Sequence, residues 1–173
     1  MTTWFIGDTH LSHRLMVEKG LRPFATMEEH DEAIIANWNG VVAKDDKVFH
    51  LGDVVFQPAT RHPLVGRLNG RKHLVMGNHD LNTDVLQYFD RAYGVVEYRG
   101  YILSHIPVHQ GQLQSRYKGN VHGHLHSALV TKVERRMGTD WVDVPDPRYA
   151  NVSAEQINYT PISWEALKER QGW

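Results

Sequence analysis

Five short segments of this chain share one design, and together they limit what it can fold into: Gly7-Asp8-Thr9-His10, Leu51-Gly52-Asp53-Val54, Gly77-Asn78-His79-Asp80, Ser104-His105-Ile106-Pro107 and Gly123-His124-Leu125-His126. All but the fourth set a glycine beside a carboxylate, amide or imidazole, and most follow a short apolar run. A chain that repeats strand, turn and polar residue in this way delivers its polar groups to one rim of a sheet. Carboxylate, amide oxygen and imidazole gathered at one point suit two divalent cations better than other protein chemistry. The expectation is a two-metal hydrolase.

Composition removes several competitors. The chain has no cysteine, which excludes a disulfide framework, a thiolate zinc site and a cysteine nucleophile. A net charge of -1 gives no field for coating nucleic acid or an anionic membrane. Met1 to Ile6 is too short for a signal peptide and no apolar run approaches spanning length, so a cytoplasmic location and no membrane partner are expected. The length of 173 residues favours one domain, 1–173, with a sizeable core.

The apolar segments Thr3–Ile6, Lys47–Leu51 and His73–Met76 predict buried strands ending in ligand-bearing turns. Ala33, Ile34, Trp38 and Val41 recur at helical spacing, and Glu28, Glu29 and Asp31 favour a helix start, which predicts a helix over about 28–42. Shorter helices are expected over about 63–68 and 84–89. Arg99-Gly100 predicts a hairpin turn between strands at Val95–Tyr98 and Tyr101–Leu103. Further strands are expected at Gly119–His122, Tyr149–Val152 and Glu155–Tyr159, and Ser163 can cap a last helix to about Lys168. Residues 131–148, with Gly138, Pro145 and Pro147, predict a surface excursion. The fold class expected is α/β, of the four-layer α+β type: two mixed β-sheets packed face to face as a sandwich and flanked by helices.

Each candidate ligand has an ordinary alternative. An Asp after a strand is usually a turn former, but His10 two residues on and the matching Gly52-Asp53 shift the balance for Asp8. Asp53 suits a bridge, since a carboxylate can give one oxygen to each of two cations. Asn78 is otherwise a cap, and His105 alone is a structural histidine. His124 and His126 alternate along an extended segment and so share a face, with Gly123 allowing close approach.

Taken in order, these blocks resemble the calcineurin-like metallophosphoesterases, whose pattern is D-x-H, G-D, G-N-H-D/E, a lone His and G-H-x-H. The resemblance extends to a small single-domain bacterial and bacteriophage branch through His13, Arg22-Pro23-Phe24, Asn37-Trp38-Asn39, Leu68 to His73, Asn151-Val152-Ser153 and Tyr159 to Ser163. It implies one metal held by Asp8, His10, Asp53 and His126, and a second by Asp53, Asn78, His105 and His124. It implies a hydroxide bridging the two metals as the nucleophile, and His79 as the catalytic side chain that binds a phosphoryl oxygen or protonates the leaving group. His13 and Arg22 are candidates for the substrate side, against loop-capping and ion-pairing roles. The ligand set is compatible with manganese, iron, zinc or nickel, with manganese the expected activator.

The sequence departs from the larger protein-phosphatase members, which follow G-D with a second Asp that partners the catalytic His. Here Val54-Val55-Phe56-Gln57 stands in that place. Phosphodiesters of nucleotide or nucleic-acid type are therefore the expected substrates, nucleic acid entering as substrate only. The alternatives are a monoesterase on a small phosphorylated metabolite or nucleotide and a catalytically silent protein-binding scaffold, which would be expected to have lost ligands. Asp80 is expected to support its loop, Trp38 to be core, and His122 to be a strand residue. His30, His50, His62, His73 and His109 are expected to be surface or packing residues, and Arg61, Arg67, Arg71 and Lys72 to be a solvated basic stretch.

Overall fold

The computed structural model describes residues 1–56, 63–80, 83–135 and 140–173. Gln57, Arg61, His62 and Gly138, weighed above, lie outside the described residues. In chain order the elements are β1 (Thr3–Ile6), α1 (Arg14–Glu18), α2 (Met27–Val41), β2 (Lys47–His50), α3 (Pro63–Gly66), β3 (Arg71–Val75), β4 (Arg91–Tyr93), β5 (Val95–Tyr98) and β6 (Tyr101–Ser104). There follow β7 (Asn120–His122), β8 (Thr131–Arg135), β9 (Trp141–Pro145), β10 (Tyr149–Asn151), β11 (Ile162–Ser163) and α4 (Trp164–Gln171).

Local chemistry sets the helix ends. Thr26 caps α2, its hydroxyl accepting from the Glu29 N–H at 3.1 Å, while the Glu29 carboxylate reaches back to the Ala25 N–H at 2.8 Å. That reciprocal arrangement satisfies donors the first turn cannot satisfy itself. Ile34, Ile35 and Trp38 form the buried face of α2. Ser163 caps α4 through the Ala166 N–H, and Gly172 closes it at φ 71°. The turn between β5 and β6 has both central residues left-handed, Arg99 at φ 53° and Gly100 at φ 87°, the geometry whose twist matches a two-residue hairpin.

Two mixed sheets result. The first has the order β11-β1-β2-β3-β4, parallel except for β11, and the second has the order β10-β7-β6-β5, parallel except for β5. The sheets meet through aromatic side chains: Phe5 and Phe49 stack at 5.7 Å, and Tyr98 of β5 presents its edge to them at 5.6 and 5.4 Å. One continuous core joins Phe5, Val48 and Leu74 of the first sheet to Leu103, Val121 and Ala150 of the second. Trp38 is fully buried in that core, as expected. At the rim the sheets are stitched directly, with the Gly7 N–H donating to the Val152 carbonyl at 2.8 Å.

Several elements differ from expectation. Glu155–Tyr159 is not a strand: Ala154–Ile157 forms a 3-10 turn, and Asn158 and Tyr159 are both left-handed. Its buried residues, Ala154 and Ile157, stand three apart, the repeat of that turn, whereas the alternation of Glu155, Ile157 and Tyr159 imitates a strand. Residues 84–89 are likewise covered by a 3-10 turn, Thr83–Tyr88, and the helix at 63–68 spans only Pro63–Gly66. Within 131–148 the chain builds a separate antiparallel hairpin, β8 with β9.

Candidate metal centre

The ligand-bearing residues all follow strand ends, and the backbone bends sharply to aim them. Asp8, His10, Ser12, Asp53, His124 and His126 have φ between 46° and 68°, a region non-glycine residues rarely enter. Neighbouring glycines make room: a Cβ at Gly77 would collide with the Asp53 carboxylate, and one at Gly123 with Asp8. Small residues thus let two strand-end loops approach until their carboxylates nearly touch backbone.

Two groups of potential ligand atoms result. Asp8, His10 and His126 offer atoms within 4.8 Å of one another, and so do Asp53, His105 and His124. Asn78 joins the second group, its Oδ1 lying 2.9 Å from His105 Nε2. Asp53 Oδ2 sits between the groups, 3.6 Å from His10 Nε2 and 3.4 Å from His105 Nε2. The other Asp53 oxygen, Oδ1, accepts from the His79 N–H at 2.9 Å. A single oxygen faces both groups.

The donor set fits cations. Asp8 Oδ1 and His10 Nε2 are buried without a hydrogen-bond partner among the described residues, although buried polar atoms rarely go unpaired. His105 donates from Nδ1 to the Leu51 carbonyl at 2.7 Å, which leaves Nε2 as an acceptor. That nitrogen nevertheless has three other acceptor-capable atoms within 3.4 Å: Asn78 Oδ1, His124 Nδ1 and Asp53 Oδ2. Only a proton or a cation reconciles such crowding. Electrostatics agree: burial pushes the Asp8 carboxyl up to about 6, against the pull of His105 and His126. Burial also favours neutral Asp53, but the His105 hydrogen bond, the His79 N–H and the nearby imidazoles outweigh it and hold Asp53 below the usual carboxylate range. Burial disfavours charged His105, yet Asp53 overrides it and pulls the ring toward its protonated form.

The other candidates divide cleanly. His79 is exposed at the rim, its ring 5.5 Å from that of His10. His13 is partly exposed, stacks on Phe56 at 3.8 Å and lies 6.4 Å from His79. Arg22 turns inward instead. It is only 2% exposed, and its guanidinium donates to the Asp8 and Thr9 carbonyls at 2.5 and 2.8 Å and to Glu155 at 2.8 Å. Those bonds leave no face for a phosphate, so the ion-pairing alternative describes it. Asp80 supports its loop, accepting from the N–H groups of Asp53, Val54 and Gly77 at 2.8, 3.0 and 2.8 Å.

Sequence reasoning missed a layer of buried polar groups behind the ligands. Glu155 Oε1 receives the His126 Nδ1–H at 3.0 Å, and that bond leads the causes that hold the His126 ring above its ordinary value. Thr9 donates its hydroxyl to the Val54 carbonyl at 2.7 Å and therefore accepts from His50 Nε2 at 2.9 Å, which ties the Asp8–His10 loop to the loop after Asp53. His30 is fully buried between Arg22 and Asp31. His30 and His50 are packed as expected, but they also bond to the loops of the site. The one sequence signal for Glu155 is a charged residue set between the apolar Ala154 and Ile157.

Fold and site together support a metal-dependent phosphoesterase. The family described as "Calcineurin-like phosphoesterase" matches residues 1–167, and the chain belongs to it. It is 32% identical to the uncharacterized protein MJ1445 of Methanocaldococcus jannaschii, over 95% of this chain and 88% of that one. It is 30% identical to the Gene 66 protein of Mycobacterium phage L5, over 74% of this chain and 79% of the phage protein. Among solved structures it resembles AQ665, a protein of unknown function from Aquifex aeolicus, with a TM-score of 0.72, 25% identity and 98% of each chain covered. No helix among the described residues is long and apolar enough to cross a membrane.

Proposed function

We propose that this protein is a phosphodiesterase of nucleotide or nucleic-acid type working with two divalent cations. Asp8, His10, Asp53 and His126 would hold one, and Asp53, Asn78, His105 and His124 the other. The observation that most supports this reading is the position of Asp53 Oδ2, within 3.6 Å of an imidazole nitrogen from each group. When bound, such a pair supplies Lewis-acid charge for the phosphoryl oxygens and a water activated near neutral pH.

The chain's own residues do the rest. His79 is anchored by its backbone N–H on Asp53, and its exposed ring would bind a phosphoryl oxygen or protonate the leaving group. The position after Asp53 that would carry a partner Asp is taken by Val54 and Val55, both buried. With no Asp at that position, His79 is better matched to leaving groups that need little acid assistance. Asn78 and His79 are exposed and His124 and His126 partly so, which leaves the site open to a phosphoryl group with two substituents. His13 and Phe56 would line the approach. A cytoplasmic setting and a single domain of 1–173 belong to this reading, as does manganese as the activating metal.

The test compares an aryl phosphodiester with the monoester of the same leaving group, at one pH and with added manganese. Higher kcat/KM for the diester is expected. A clear preference for the monoester would overturn the diesterase reading in favour of the monoesterase alternative. Absence of turnover on both, with metals bound, would favour the scaffold.

A further inference from the structure

The two ligand groups are backed differently. Behind His105 stands a backbone carbonyl, that of Leu51. Behind His126 stands a carboxylate, and the Glu155 oxygen that receives the ring N–H also accepts from Arg22 Nε and Nη2, each at 2.8 Å. Arg22 then reaches forward to the carbonyls of Asp8 and Thr9 and sideways to His30. His30 contacts Asp31, which accepts from the Ser12 N–H at 2.9 Å. One ion pair, its guanidinium fully enclosed and its carboxylate half-buried, thus grips the ring of His126 and the left-handed segment that carries Asp8 and His10. Among the described residues, no Lys or Arg lies within 4.0 Å of the Asp53 carboxylate, the only acid in the other group.

We infer that Arg22 and Glu155 are positioning residues for one of the two cation sites, that of Asp8, His10 and His126, and that the two sites are therefore unequal. The inference rests on the two-cation reading above. Glu155 fixes the His126 ring with Nδ1–H turned toward itself and Nε2 left for a cation. Its negative charge also makes that imidazole a better donor, the usual effect of a carboxylate behind a metal-bound histidine. Arg22 is buried and needs the half-buried Glu155 carboxylate, since an unpaired buried charge would be strongly destabilising. It also fixes two carbonyls of a backbone that would otherwise relax out of the left-handed region.

The hydrogen-bond pattern allows the charge to be tested apart from the contacts. All three bonds converge on Oε1, while Oε2 is buried with no partner among the described residues. Glu155→Gln can keep an oxygen in the Oε1 position and remove only the charge. Manganese binding to the full-length, metal-stripped chain would be followed calorimetrically, with bound metal counted per chain and the fold checked by circular dichroism. The wild type should take up two equivalents. Glu155→Gln should weaken one site by about 10–100-fold and leave the other unchanged, whereas Asn78→Ala should weaken the complementary site. Equal weakening of both sites in Glu155→Gln, or no weakening, would overturn the inference. A wild-type chain that takes up fewer than two equivalents would overturn the two-cation reading, and this inference with it.

Discussion

Asp80 offers a direct test of how the loops are held. It is 2% exposed and binds three backbone N–H groups, with Oδ2 serving Asp53 and Gly77 and Oδ1 serving Val54. Asp80→Asn leaves one acceptor. In its better orientation the amide oxygen keeps Asp53 and Gly77, and the amide nitrogen faces the Val54 N–H, donor to donor. One buried donor without a partner costs about 1–3 kcal/mol, and reducing two charge-assisted bonds to neutral ones costs about 1 kcal/mol each, giving about 4 kcal/mol. Asp80→Ala strands all three donors and should cost about 6 kcal/mol. For a chain of this size, the Asn variant should melt roughly 8–16 °C lower. Urea denaturation of the metal-stripped chain isolates the effect, because bound metal would otherwise add its own stabilisation. An Asn variant within about 1 kcal/mol of wild type would refute the reasoning, since it would mean that water or loop movement replaces these bonds.

Three further outcomes are expected. Asp53→Asn keeps the shape of the side chain but removes the charge between the two ligand groups, so turnover and the affinity for at least one metal should fall sharply; full turnover with two tightly bound metals would contradict the assignment. His79→Ala should leave metal content near normal while lowering turnover by about 10²–10⁴-fold, and loss of metal would recast His79 as a ligand or its support. Burial holds the folded-state values of His50 and His122 down to about 3 and about 4, from 6.5. Protons then favour the unfolded chain, so the stability these groups contribute is complete above 6.5 and is lost as pH falls from there toward 4 and 3. In urea titrations, His50→Gln should flatten that acid limb relative to wild type; an unchanged limb would show that His50 does not carry it.

The sequence made the strands before the ligand loops legible because β1, β2 and β3 are short apolar runs that stop at Gly-Asp or Gly-Asn. The residues of both groups that could hold a metal were legible for the same reason, since each hangs from a strand end. Burial of charge was not. Arg22 and Glu155 meet across 133 positions, and neither periodicity nor spacing says that a guanidinium folds inward toward two carbonyls. The edge strand β4 escaped notice because three residues carry too little alternation to be seen. The pair β8 and β9 was hidden because it buries neither face, leaving even Val133 and Trp141 exposed, and because Pro145 ends it where a proline removes a ladder donor.

The left-handed backbone at Asp8, His10, Asp53, His124 and His126 has a consequence for how such a site drifts. Each of these side chains stands where glycine would be more comfortable, by about 1–2 kcal/mol. Variants that exchange a ligand for glycine therefore relax the main chain while deleting the chemistry. The relief is set against what glycine would strand: the His124 N–H loses Asp8, the His79 N–H loses Asp53, and Glu155 loses the His126 ring. Five unrelaxed residues gathered at one rim thus hold their strained backbone through the bonds their own side chains make.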